Sequence, residues 1–370
     1  MKIAFIGGRD IHTLGGIENY MLNLTAELTK LGNTSVVYCE SDHNAVETYD
    51  GVKVKYWAGP KNALICKPLL GLKSTLDAIF NEKVDFIHYN AWPPSLSCWL
   101  ARISGVHSLM EGHGLEWQRS KYSPTEQKIM RFMEAVTARM NEHLIMCSDI
   151  QVQYFKDRYG IDSVCIPGAV HLPVDPNKDC SRILNSLGLG RQRFLLFMGR
   201  LVPDKNPNVL IEAFNFAVHD GYKLVIAGDN PAMPEYVAYL HELASHREDI
   251  VFTGAVYGEY KNALLASAYC LCLPSTIEGL SIALLEASSY RLPVIASDID
   301  ANVEFLGSDA MFVRPENVED LTVAIENAIA NPSVMADYAK HNYEKVVESY
   351  TWDKVARKYD NYIHGIFMQR

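Results

Sequence analysis

The sequence has no apolar stretch long enough to cross a bilayer. Its apolar runs, such as Leu195 to Met198 and Leu224 to Ala227, are of strand length, against the roughly 20 residues that a spanning helix needs. A signal-peptide pattern is also missing. Met1-Lys2 lead straight into Ile3-Ala4-Phe5-Ile6 and two glycines, which reads as a first strand and its turn, so the expected location is the cytoplasm, extending at most to the inner face of the membrane. The eight cysteines, at 39, 66, 98, 147, 165, 180, 270 and 272, include no CxxC and no Cys/His spacing that suits zinc, and reduced thiols are expected. Cys270 and Cys272 alternate within an apolar pattern and should pack on one face of a sheet. Positive charge is not in excess: the formal net charge of −10 argues against a nucleic-acid partner. Internal repeats and low-complexity tracts are absent. So is the GxGxxG fingerprint, because eight residues separate Gly7 from Gly16, and a dinucleotide-dependent dehydrogenase is disfavoured.

What is present points to a globular α/β protein. A hydrophobic fraction of 48% with 21% charged residues is ordinary globular composition, and 370 residues exceed the size at which single cores stop growing. Short β-rich runs alternate with helical patterns in two series. The first has strands expected at Lys2–Ile6, Ser35–Glu40, Val52–Trp57, Asp85–Tyr89, His107–Glu111, His143–Cys147 and Val164–Ile166. The second has them at Phe194–Met198, Lys223–Ala227, Ile250–Thr253, Tyr269–Leu273, Pro293–Ala296 and Met311–Val313. A helix is expected over residues 17 to 31, and another opens at Ser123-Pro124-Thr125-Glu126 with an N-cap serine, proline at the first helical position and a capping-box glutamate. Three prolines and a glycine between Pro167 and Pro176 mark a linker. These patterns predict two doubly wound Rossmann-like domains facing a cleft, 1–170 and 171–350. A final helix over 351–370 should pack back on the first.

Three segments carry candidate chemistry. Gly15-Gly16-Ile17-Glu18 leads into the first helix, where glycine lets the backbone approach an anion closely. Met198-Gly199-Arg200 and Lys205 follow a strand and precede a helix. One bidentate cation and one point charge at the carboxyl end of a parallel sheet suit the diphosphate of a nucleotide sugar. Glu278-Gly279-Leu280-Ser281-Ile282-Ala283-Leu284-Leu285-Glu286 places one glutamate in a turn and one about two turns into the next helix, so the two cannot form a single carboxylate dyad. The loop glutamate can reach a sugar, the helical one can accept from hydroxyls, and the Gly279, Leu280 and Ser281 amides are expected to open the helix and donate to phosphate.

These motifs, in this order, make the chain resemble a retaining glycosyltransferase of the GT-B fold, in family 4 (glycosyl transferases group 1). The family's E-x7-E motif matches Glu278 and Glu286, its G-R-(x)n-K element matches Gly199, Arg200 and Lys205, and its N-terminal glycine loop matches Gly15 and Gly16. The resemblance implies that Glu286 binds the nucleotide ribose, Glu278 the donor sugar, and Arg200 with Lys205 the diphosphate. It also implies that His113, flanked by Gly112 and Gly114, is the cleft histidine, acting as a neutral hydrogen-bonding group. The stretch Glu111 to Trp117, with Arg119 and Lys121, is similar to rhamnosyltransferase-like members that build bacterial surface polysaccharides. One departure is Arg291, where relatives usually carry glycine before the next strand; altered geometry is expected in that turn. Donor and acceptor are then a nucleotide sugar and a glycan or lipid-linked acceptor. No cofactor is expected, since the nucleotide sugar is a substrate, and no metal, since Arg200, Lys205 and the helix start at Gly279 already supply positive charge. Asp298-Ile299-Asp300 reads as loop, with Glu304 a weaker sugar contact. Lys121, Lys128, Arg131 and Arg139 could make a weak peripheral membrane patch, whereas Ile129, Phe132, Met133, Val136 and Met140 read as core. The competing readings are a sugar-nucleotide epimerase and a non-catalytic nucleotide-sugar-binding partner.

Overall fold

The computed structural model describes residues 1–13, 16–60, 62–118, 122–175, 179–191 and 193–368. The chain divides into two compact units, Met1–Ala169 with Trp352–Arg370, and Val170–Thr351. Among the described residues no helix is long and apolar enough to cross a membrane. The eight cysteines form no disulfide.

In the first unit eight strands, β1 (Lys2–Gly8), β2 (Thr34–Ser41), β3 (Ala45–Tyr49), β4 (Val52–Ala58), β5 (Phe86–Asn90), β6 (His107–Gly112), β7 (His143–Met146) and β8 (Val164–Cys165), line up in the order β3-β4-β2-β1-β5-β6-β7-β8. All pairs are parallel except β3 with β4. The helix Gly16–Lys30 buries Tyr20, Met21, Leu24 and Leu28 on one stripe, as a 3.6-residue period requires. The last helix, Trp352–Met368, buries Trp352, Val355, Ala356, Tyr359, Ile363 and Ile366 in the same core as Ile3, Phe5 and Leu24. The end of the chain is thereby part of the first unit.

The second unit holds β9 (Phe194–Met198), β10 (Lys223–Ala227), β11 (Ile250–Gly254), β12 (Cys270–Leu273), β13 (Val294–Ser297) and β14 (Met311–Val313), in the order β11-β10-β9-β12-β13-β14 and parallel throughout. Helices cover both faces, so β9 and β12 are buried along their whole length and read as unbroken apolar runs. Cys270 and Cys272 do share one side of the sheet, in the core with Leu195 and Phe197.

Three expectations need correction. The strand β3 went unforeseen because its side chains are largely exposed at the sheet edge, so no core-facing alternation marks it. Arg291 does not alter its turn: it takes the left-handed conformation (φ 56°) that glycine would supply, and its guanidinium lies 4.3 Å over the Tyr343 ring. The helix Pro124–Met140 has the expected capping box at Ser123 and Glu126 but covers only part of the expected face, with Met140 packed against the core and Met133 and Val136 half-buried. Met130, Glu134, Thr137 and Ala138 point inward, while Ile129 and Phe132 are 43% and 70% exposed. The cause is polar: the buried Glu134 carboxylate accepts from Trp117 Nε1, Tyr154 Oη and Tyr159 Oη at 3.1, 3.1 and 2.7 Å, and those three donors set which side turns in.

The tightest backbone approach in the second unit is at Gly228, just after β10. A Cβ there would lie 1.9 Å from the carbonyl oxygen of Gly199, just after β9. Gly228→Ala is therefore expected to destabilise the protein by about 2–3 kcal/mol, as overpacking against a backbone atom does. Gly190→Ala, whose nearest neighbour would be 3.8 Å away, should stay within about 0.5 kcal/mol of the parent. Denaturant midpoints for the two variants check this.

Candidate active site

In the second unit the site is assembled where the strand order reverses. β9 and β12 are neighbours, with Leu195 opposite Cys270, so the loops that leave their carboxyl ends lie side by side. Gly199 leads into an exposed Arg200 and a single turn, Pro203–Lys205, closed by Asn206 in the left-handed conformation (φ 49°). Hydrogen bonds join this turn to the loop after β12, the Thr276 hydroxyl donating to Asp204 O at 3.2 Å. Asn206 Nδ2 donates to Pro274 O at 2.9 Å, and Thr276 N donates to Asp204 O at 2.9 Å. The join puts Lys205 Nζ 2.7 Å from Glu278 Oε1, which also accepts from Ser275 Oγ at 2.8 Å. Both side chains are mostly buried.

The helix that follows differs from expectation. It runs over Ile282–Ser289 with Ser281 as its cap, Ser281 Oγ accepting from Leu284 N. Gly279 and Leu280 therefore lie in the bend before the helix, because the cap serine, and not the glycine, sets its start. Glu286 consequently sits little more than one turn in. It makes its own contact, with Lys261 Nζ donating to Glu286 Oε1 at 2.5 Å from the helix Gly258–Ser267. The structure brings Lys205 and Glu278 together but gives Glu286 a separate partner. Nothing in the local sequence pattern flagged Lys261, which belongs to a different helix. Asp300 is the first residue of the helix Asp300–Leu306, not a loop residue, and Asp298 N donates to Val313 O.

In the first unit the order reverses between β1 and β5. Gly15, Arg119 and Lys121 lie outside the described residues. Gly16 begins the first helix, and a Cβ there would meet no atom within 4 Å. Arg9 N donates to Glu18 Oε1 at 2.6 Å, which draws the loop onto that helix. His113 follows β6 and is 21% exposed at its side chain. Its Nδ1 lies 3.7 Å from Glu111 Oε1, its Nε2 3.4 Å from Asn90 Oδ1, and its ring meets Tyr20 edge-on. Glu111 is 1% exposed and His88 is fully buried. Burial pushes the Glu111 carboxyl up to about 7, although His113 and Tyr20 oppose it, and burial pushes His88 down to about 3. A carboxylate directly after the apolar pair Leu109-Met110 of a strand was the visible signal for Glu111. His88, Tyr20 and Tyr359 gave none, since each reads as core. Among the described residues the one grouping with metal-ligand chemistry is His107, Glu142 and His143. It sits at the amino-terminal ends of β6 and β7, the edge of the sheet opposite His113.

Comparison with known proteins agrees with this architecture. Residues 182–345 match the family model Glycosyl transferases group 1, and residues 14–173 match Glycosyltransferase Family 4. An uncharacterised glycosyltransferase of Methanocaldococcus jannaschii is 29% identical over 48% of this chain and 46% of its own length. The Escherichia coli UDP-Gal:alpha-D-GlcNAc-diphosphoundecaprenol alpha-1,3-galactosyltransferase is 27% identical over 65% of each. The matches thus span 46% and 65% of these curated relatives. Sucrose-phosphate synthase from Thermosynechococcus elongatus, at 19% identity, superposes with a TM-score of 0.84 over 100% of both chains, which speaks for the fold. With a glycosyl-transferase model over each half and that fold along its whole length, the chain belongs to the GT-B glycosyltransferases of family 4.

Proposed function

We propose that the protein is a retaining, metal-independent glycosyltransferase that moves a sugar from a nucleotide-sugar donor to a glycan or lipid-linked acceptor in cell-surface polysaccharide synthesis. One observation carries the reading: two lysine–glutamate contacts, Lys205 with Glu278 and Lys261 with Glu286, stand before and on a serine-capped helix at the reversal of the second sheet. Such a reversal is where open α/β sheets bind nucleotides. Lysines there can exchange a carboxylate for a diphosphate, and the freed glutamates can accept from ribose and sugar hydroxyls. Arg200, Lys205, Lys261 and the first helical amides supply the positive potential that a departing diphosphate needs, which is the work a metal would otherwise do. The open space at Gly16 suits close backbone approach by a ligand.

The stereochemistry follows the family resemblance, and the site offers a reason against double displacement. A retaining pair of the glycosidase type needs carboxyls about 5 Å apart on opposite sides of the scissile bond. Glu278 and Glu286 are each committed to a different lysine. Attack by the acceptor hydroxyl on the face the diphosphate leaves, with the hydroxyl proton passing to a phosphate oxygen, requires no enzyme nucleophile. The role of Glu278 as a donor-sugar contact follows the family resemblance, and so does that of His113. The lipid-linked acceptor draws support from the undecaprenol-linked acceptor in the name of the Escherichia coli relative. Weak membrane contact draws support from exposed Ile129 and Phe132 beside Lys128, Arg131 and Arg139.

Lys205→Ala and Glu286→Ala should each weaken donor binding by about ten- to a hundredfold, the loss of one charged hydrogen bond, with thermal stability retained. Calorimetry with the nucleotide sugar selected from a panel that includes a rhamnosyl donor checks this; unchanged affinity in both variants removes the assignment. Chelator-treated enzyme should turn over at the untreated rate, and NMR of the product should show the donor's anomeric configuration. Restoration of lost activity by Mg²⁺ or Mn²⁺, or an inverted product, contradicts the mechanism.

A further inference from the structure

The carboxyl of Glu111 is enclosed by groups that the transfer reaction does not obviously need. Its Oε2 lies 2.9 Å from Nε2 of His88, and its Oε1 faces His113 Nδ1. Beyond His88, the Tyr359 hydroxyl stands 2.9 Å from Nδ1, with the tyrosine ring stacked on the imidazole. The titratable groups that face Glu111 are thus His88 on β5, His113 after β6, Tyr20 on the first helix and Tyr359 on the last. Cys147 and Asp360 act more weakly, through Tyr20 and Tyr359. Neither carboxyl oxygen, nor His88 Nε2, nor the Tyr20 hydroxyl makes a well-aligned hydrogen bond. Polar groups buried this deeply are seldom left so, and here several of them meet at one carboxyl.

The hydrogen positions follow from the ends of the chain of contacts inward. Asn90 Nδ2 donates to Ile6 O at 3.5 Å, which turns Asn90 Oδ1 toward His113 Nε2, so Nε2 carries a hydrogen. At the other end, burial holds the Tyr359 hydroxyl well above its ordinary range. It keeps its proton and donates to His88 Nδ1, leaving His88 Nε2–H directed at Glu111 Oε2. His88 stays neutral. Between Glu111 Oε1 and His113 Nδ1 there remains one proton, as carboxylic acid beside imidazole or as carboxylate beside imidazolium.

We propose that Glu111 is a positioning residue that holds this one proton against His113 Nδ1, keeping Nε2–H as the donor offered to the sugar, and that its loss at raised pH turns Nε2 into an acceptor and slows transfer. This rests on the reading of His113 as a donor-sugar contact, and adds the acid that sets its state. Tyr359, on the last helix, fixes the tautomer of the histidine behind that acid.

Histidine-selective ¹⁵N NMR between pH 5 and 9 tests this without any substrate. In the parent, with His113→Gln used for assignment, the His113 Nε2 signal should be of the protonated type at acid pH and change near neutrality. In Glu111→Gln the amide oxygen can accept from His88 and the NH₂ can donate to Nδ1, so Nε2–H should persist to pH 9. Tyr359→Phe should shift the midpoint of the change, which gives a second reading if the glutamine variant folds poorly. Stability supplies an independent check. Because the folded-state value of Glu111 is raised from 4.5 to about 7, the folded protein binds a proton that the unfolded chain has lost in that window. Its contribution to stability therefore declines as pH rises from about 4.5 to 7, and Glu111→Gln should remove the decline. Turnover should fall about tenfold per pH unit above the midpoint in the parent and stay flat in the glutamine variant. The same His113 change with the same midpoint in both proteins, or none in the parent, overturns the proposal. Normal turnover in His113→Gln would overturn only the role given to His113.

Discussion

The second unit depends on one adjacency. β9 lies between β10 and β12, so the chain builds outward in one direction from β9 and then returns to build in the other. The loops after β9 and β12 are left as neighbours with no strand between them, and hydrogen bonds from Asn206 to Pro274, which is buried, and from Thr276 to Asp204 weld them. Lys205 and Glu278 are 73 residues apart in sequence and meet because of that weld. On the other side of β9, its pairing with β10 brings Gly228 close to Gly199, whose N donates to Ala227 O. The turn carrying Arg200 and Lys205 has its backbone held from both sides.

The first unit solves a different problem. Its sheet also reverses, between β1 and β5, but the residues gathered there are largely buried: His88, Asn90, Glu111 and Tyr20. A charge on Glu111 is disfavoured by burial, and an ordinary core would use an apolar residue in its place. Keeping an ionisable group beside a partly exposed histidine costs stability, and such costs are concentrated where chemistry is done. The final helix is the unexpected participant. Its apolar stripe docks it in the core, and that docking carries the Tyr359 hydroxyl into the polar cluster.

Most of the fold was legible because period-two and period-3.6 patterns survive wherever a face is buried. β9, β10 and β14 match their expected bounds, and the capping box at Ser123 forms as written. Legibility failed where burial did not decide. β3 lies exposed at an edge, and the helix over Pro124–Met140 turns in the buried Glu134, which accepts from three donors, beside Met130 and Ala138. Among the candidate site residues, those in one contiguous motif stand out in the sequence, so Arg200, Lys205, Glu278 and Glu286 were singled out, whereas Lys261, the partner of Glu286, was not. The start of the helix after Glu278 was misplaced because glycine was weighed over the serine cap. His88 and Tyr359 could not be read, since their pairing spans 271 residues and each looks like core.

The central claim is that a nucleoside diphosphate binds at the β9–β12 reversal of the second unit. Hydrogen–deuterium exchange tests it most directly, with UDP, ADP, GDP and dTDP added in turn at saturating concentration. The account predicts slowed exchange in peptides covering 199–206 and 274–286 for the diphosphate that binds. Protection confined to residues 1–169, or no protection from a diphosphate that calorimetry shows to be bound, would contradict it.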